Sequence, residues 1–320
     1  MTVYILPCGV SILDGLSLGR GLPGGAADPT DLCAKAVPWA ERARYSDDAM
    51  VVTRYQEDLD AVIDEARLGN WAAEVAAETN SLGSRTSLSK VLTDGHTVVL
   101  LASDTNPGVA AAMAVAARIA ANPDGTISYG QIRYVSTPEL RVLEPGSHAG
   151  WPYEFVTGSV TVVRVRELNP RIPSGLDIAA AGLGQALRAA YDSAHGMGVE
   201  IHLTGGLKAT LLHTLLMVEV LHSLSADVEM SAWYLYDDDI TASPEAIRIG
   251  LRRFESTYLS EMREELCNVR DRNATSGRTF EGLAWRGKGA EARLTDFGTA
   301  FLAVLGEEIR PPGDDEGYRR

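Results

Sequence analysis

The sequence predicts an α/β protein: a Rossmann-like, open, mostly parallel sheet with helices on both faces, plus a small, mainly α, winged-helix-like C-terminal domain. Three observations predict it. Short apolar, β-branched runs alternate with longer helical patterns through about residue 240, as βαβ units require. The chain has 320 residues, 45% apolar and 22% charged, enough to bury a sizeable core. At roughly 100–200 residues per domain, that length suggests two domains. Beyond residue 240 the pattern changes to helices around a short hairpin. The expected division is 1–240, 241–310, and a disordered tail at 311–320.

The elements follow in order. Val3–Leu6 is a short apolar run ended by Pro7, a buried first strand, and Gly15–Gly25 is a loop. Apolar residues at three and four spacing make helices of Asp58–Arg67 and Trp71–Leu82. His96–Ala102 is a continuous β-branched and Leu run, a strand buried on both faces. Asn106-Pro107 starts an Ala-rich helix over Gly108–Ala121, and Gln131–Val135 is a third strand. Leu143 to Pro173 is marked by Pro and Gly. It contains the strand Ser159–Val165 and reads as an insertion or extra edge hairpin.

Leu176–His195 is a long helix, Glu200–Leu203 a strand, Lys208–Leu224 a helix and Glu229–Tyr236 a strand. In the C-terminal domain Pro244–Asn268 reads as helical and Arg270–Gly282 as polar. Leu283–Leu294 reads as two short strands around Gly287–Gly289, and Thr295–Leu305 as the last helix.

Charge and cysteine content narrow the function. There are 29 basic and 43 acidic residues, a net charge of −14. Such a mean field repels phosphate, so generic binding to nucleic acid or a membrane surface is disfavoured. An anionic ligand must be held locally, by backbone amides, helix N-termini and a few placed cations. Cys8, Cys33 and Cys267 are far apart and form no Cys-x-x-Cys pair, which argues against a disulfide framework or zinc ribbon. The N-terminus lacks a basic region and is broken by Pro7 and Asp14, unlike a signal peptide. No stretch approaches the ~20 apolar residues of a membrane span. A cytoplasmic protein is expected.

The strongest chemical signal is Thr204-Gly205-Gly206-Leu207-Lys208, set between a strand and a long helix. In an open parallel sheet, ligands sit beyond the carboxyl ends of the strands. Two glycines there let the backbone approach a ligand and aim amides at an anion. Lys208 opens the helix and adds to the positive end of its dipole. Taken alone, a tight turn with an exposed lysine explains the segment equally well, and the P-loop spacing is absent. Gly9-Val10-Ser11 follows the first strand, and Asp104-Thr105 follows the strand ending at Ala102. Three small polar turns thus converge on one rim, although Ser11 and Asp104 are also ordinary cap or turn residues.

These residues resemble a family. Gly9-Val10-Ser11 is similar to a Gly-Thr-Ser signature with Val in place of Thr. Ala77-Glu78-Thr79-Asn80-Ser81-Leu82 is similar to an Ala-Glu-x-Asn-Ser-Leu segment. Ala102-Ser103-Asp104-Thr105, Gly108 and Leu203–Ala209 complete the series in order. Together they resemble the CRISPR-associated Rossmann-fold (CARF) proteins over about residues 1–240. The resemblance implies a homodimer that binds a cyclic oligoadenylate, the tetra- or hexa-adenylate messenger of type III CRISPR antiviral systems. A ring with an even number of identical nucleotides has the two-fold symmetry of such a dimer.

By the same resemblance, Thr204, Gly205, Gly206, Leu207 and Lys208 hold phosphate, and Gly9, Val10 and Ser11 lie near a ribose or phosphate. Val10 removes a hydroxyl that the signature carries. Asp104 and Thr105 line the rim, while Glu78 and Asn80 line the pocket, face the dimer partner or simply end a helix.

The output remains open between two readings. In the first the protein is a ring nuclease, in which the substrate's own 2′-hydroxyl attacks the adjacent phosphate. Lys208 would stabilise charge and Ser11 would position the sugar, with neither metal nor cofactor. In the second it is a non-enzymatic regulator that moves a winged helix on or off DNA. Arg270, Arg272, Arg278, Arg286, Lys288 and Arg293 against Asp271, Glu281 and Glu291 make a local +3. From Ser225 onward, however, 13 basic face 19 acidic residues.

A HEPN ribonuclease, marked in relatives by Arg-x4-6-His, is disfavoured because the last histidine is His222. Arg141–His148 crosses Glu144-Pro145-Gly146, and Arg188–His195 lies in the sensor's own long helix. His213 and His222 are nine apart on one helix and read as packing or surface residues. Gly19–Gly24 satisfies G-x-G-x-x-G but lacks the strand–turn–helix setting of a dinucleotide site, and reads as a mobile loop.

Overall fold

The computed structural model describes residues 1–9, 77–122, 126–137, 153–169, 175–205, 208–224, 227–235, 246–271, 279–287 and 291–306. The helix expected at Asp58–Arg67, the loops at Gly15–Gly25 and Gly19–Gly24, and the tail lie outside these residues, as does the first half, 71–76, of the helix expected at Trp71–Leu82.

Seven strands form one sheet: β1 (Thr2–Pro7), β2 (Thr97–Ser103), β3 (Ile132–Ser136), β4 (Val160–Val165), β5 (Gly198–His202), β6 (Met230–Leu235) and β7 (Ala246–Ile249). Their order is β3-β4-β2-β1-β5-β6-β7. All pairs are parallel except β6–β7. β1 is central, with Leu6 opposite Leu100 of β2 and Ile5 opposite Ile201 of β5. The chain builds β2, β3 and β4 on one side of β1, then crosses to build β5, β6 and β7 on the other. The β1–β5 boundary is therefore the topological switch point, where open α/β sheets bind ligands.

Helices cover both faces. α1 (Ala77–Gly83) and α2 (Asn106–Ile119) lie on one face, over Tyr4, Leu6, Val98, Leu100, Val160 and Val162. α3 (Gly175–Ser193) and α4 (Lys208–Leu224) lie on the other, over Ile5, Val99, Leu101, Val163, Val199 and Ile201. Burial on both faces is why β2 reads as unbroken TVVLLAS, all seven residues buried. α2 starts where Thr105 Oγ1 accepts the Gly108 amide at 3.1 Å, with Pro107 in the first turn.

Two expectations are corrected. Ser159–Val165 is not an edge hairpin: β4 runs parallel between β2 and β3, and all six of its residues are buried. Its Val-rich run belongs to a strand with a neighbour on each side. Pro244–Asn268 is not helical throughout. Ala246–Ile249 pairs antiparallel with β6, Ile249 opposite Ala232, and α5 (Ser256–Arg270) begins later. Local propensity yields there to the open sheet edge.

After α5 come a two-residue ladder, β8 (Trp285–Arg286) with β9 (Arg293–Leu294), and α6 (Asp296–Val304). Leu259, Met262 and Leu266 of α5 and Phe297, Phe301 and Val304 of α6 join the same core as α3 and α4. α3 and α6 cross closely: a Cβ at Gly184 would stand 2.7 Å from Ala300 O and 2.8 Å from Ala303 Cβ. Among the described residues, no helix is long and apolar enough to cross a membrane.

Candidate functional site

At the switch point three chain segments meet. β1 ends at Pro7, and its continuation brings the Gly9 amide 2.8 Å from Glu78 Oε1. Glu78 stands in the first turn of α1 and is 2% exposed. Gly205, just past β5, is packed against both. A Cβ at Gly205 would collide with the Glu78 carboxylate and stand 2.6 Å from Pro7 O. Only glycine fits, which accounts for the first glycine of the Thr204–Lys208 segment. Burial, and then the Glu78 charge, push the adjacent Cys8 thiol well above its ordinary value, so it stays protonated at neutral pH.

A hydrogen-bond chain supports this junction from below. The Leu235 amide donates to Thr204 Oγ1 at 2.7 Å, and Thr204 Oγ1 donates to Ser81 Oγ at 3.2 Å. Ser81 Oγ in turn lies 2.7 Å from His202 Nδ1. Either Ser81 or His202 donates in that bond, according to the tautomer of the ring. Nε2 is 4.0 Å from Glu200 Oε2. His202 is 1% exposed, and burial, then the Arg85 charge, lower its pKa to about 4. Arg85 pairs with Glu200 at 3.5 Å and lies 3.8 Å above the Trp233 ring.

A second polar group forms at the ends of β2 and β4. Asp104 Oδ1 is 3.1 Å from Arg164 Nε, with side chains 11% and 4% exposed. Asp104 Oδ2 accepts the Glu167 amide at 3.0 Å. Thr105 is the N-cap of α2, and its Oγ1 lies 2.9 Å from Ser103 Oγ. Both residues thus hold the rim together through their own bonds.

Of the residues expected at the site, Gly9, Glu78, Thr204 and Gly205 converge on the β1–β5 crevice, while Asp104 and Thr105 belong to the second group. Asn80 is half-buried on α1, its carbonyl accepting the Ser84 amide. Lys208 is the first residue of α4, with only its backbone described. Val10, Ser11, Gly206 and Leu207 lie outside the described residues. His213 Nε2 stands 3.7 Å from Asp296 of α6, and Arg253 Nε donates to His222 Nε2 at 3.2 Å. Among the described residues, no three His, Cys, Asp or Glu side chains are grouped to hold a metal ion.

Sequence reasoning passed over His202, Ser81 as a bonding partner, and Arg164. The signal for His202 was the polar alternation Glu200, His202 within a strand otherwise apolar. For Arg164 it was one charge inside a Val run. In comparisons with known proteins, no family model matches the chain and no curated protein is significantly similar to it.

Proposed function

We propose that the protein is a cytoplasmic, CARF-type sensor that binds a cyclic oligoadenylate between the paired rims of a homodimer and cleaves the ring. The observation that carries this reading is the convergence of the β1 end, α1 and the Thr204-Gly205 turn at the switch point, with α4 starting at Lys208. A 17-residue helix opening at that turn presents its positive end to a phosphate. In the cleavage step the 2′-oxygen attacks the neighbouring phosphorus and the P–O5′ bond breaks. The 2′-hydroxyl proton leaves, and a proton is delivered to O5′, giving a linear product with a 2′,3′-cyclic phosphate. Lys208 stabilises the charge that develops on phosphate, and Ser11 positions the ribose.

The alternative is a messenger-responsive regulator acting through a winged helix on DNA. The order α5, β8, β9, α6 favours it. Against it, Phe297, Ala300, Phe301, Leu302, Ala303 and Val304 bury α6 in the core shared with α3, so α6 is not free to enter a groove. The test is incubation of purified protein with cyclic tri-, tetra- and hexa-adenylate in EDTA, beside a binding assay. Linear products ending in 2′,3′-cyclic phosphate establish the nuclease. Tight binding with an intact ring moves the function to the C-terminal segment and DNA, and no binding rejects the family reading.

A further inference from the structure

We infer that Glu78 is an internal competitor for the ligand's phosphate: its buried carboxylate occupies an anion seat at the switch point and must leave before a phosphate settles there. The inference rests on the reading of the site as an anion-binding crevice. An amide at the carboxyl end of the central strand is the donor such crevices offer to phosphate. Here the Gly9 amide is already taken by Glu78 Oε1, at 2.8 Å. The same oxygen lies against Gly205, within the turn expected to take the phosphate. With Glu78 2% exposed, the occupant is sealed in rather than solvated at the surface.

A phosphate oxygen brought beside a carboxylate meets like-charge repulsion that a buried, poorly screened seat makes strong. Phosphate and carboxylate therefore do not share the seat. In the ligand-free protein Glu78 stands in for the phosphate. It binds the Gly9 amide and packs against Gly205, and so lowers affinity for a phosphate at that seat. Glu78 is in this sense a gate that sets the threshold concentration of messenger.

The test is calorimetric titration of cyclic tetra- and hexa-adenylate into the wild type, Glu78→Gln and Glu78→Ala, with thermal melts to establish folding. Gln keeps an oxygen acceptor for the Gly9 amide but carries no charge, so Glu78→Gln should bind a ring at least ten-fold more tightly. Glu78→Ala should also bind more tightly, and decides the matter if Glu78→Gln does not fold. Wild-type binding with equal or weaker binding by the folded variants overturns the gate and leaves the messenger reading intact. If no form binds either ring, the messenger reading fails and the gate fails with it.

Discussion

Ser81 Oγ and His202 Nδ1 stand 2.7 Å apart, joining α1 to the central part of the sheet across 121 residues of sequence. His202 is 1% exposed, and burial with the Arg85 charge lowers its pKa from 6.5 to about 4. Between those values the unfolded chain binds a proton that the folded protein does not. Stability is therefore whole above pH 6.5 and falls as pH drops toward 4, by about 3 kcal/mol at the limit. Urea unfolding of wild type and His202→Gln should give curves of stability against pH that diverge across this window. Parallel curves would remove His202 as the cause.

Gly205→Ala puts a methyl 2.6 Å from Pro7 O and against the Glu78 carboxylate. The methyl meets strand-end backbone and a buried carboxylate at once, so the expected loss is about 1–3 kcal/mol of stability. Ring binding should fall with it. Denaturant titration measures the first and calorimetry the second; unchanged values in both would mean that the turn is less tightly packed than described.

Asp104→Asn leaves the Arg164 guanidinium buried beside a neutral amide. Breaking a buried pair by removing one partner costs roughly 3–5 kcal/mol, chiefly through the stranded charge. The melting temperature should drop, and adding Arg164→Met should recover much of the loss. A double variant no better than Asp104→Asn alone would show that the pair is not the source.

Lys208→Ala should weaken ring binding or cleavage strongly while leaving the melting temperature near that of the wild type. Ser11→Ala should slow cleavage more than it weakens binding, as a positioning role requires. Comparable losses of rate and affinity in Ser11→Ala argue against that role. Ring binding by Lys208→Ala at wild-type strength removes the proposed phosphate contact.

Gly184→Ala drives a methyl into the α3–α6 crossing, where Ala300 O and Ala303 Cβ leave 2.7 and 2.8 Å. Overpacking of this kind costs about 1–3 kcal/mol. Because α5 and α6 share the core of α3 and α4, the loss should appear in one cooperative transition rather than in an early partial one. Two resolved transitions would mean that the C-terminal segment unfolds by itself.

The sequence carries the signals for the sheet and most of its strands. Continuous β-branched runs such as Thr97–Ser103 have no other stable home than a strand buried on both faces, and the intervening helical patterns demand crossovers. It also pointed to Thr204-Gly205 as a turn at a strand end, because two glycines before a long helix are a local signal.

What it did not determine were the pairings. That β4 inserts between β2 and β3, and that Ala246–Ile249 closes the edge beside β6, depends on which neighbours remain unpaired once the sheet assembles. The same holds at the site. Glu78 is close to the Gly9 amide only because α1 packs at the β1–β5 boundary, and His202 meets Ser81 for the same reason. Such contacts join residues 69 and 121 positions apart. No local propensity encodes them; only the packed fold decides which polar groups are enclosed together.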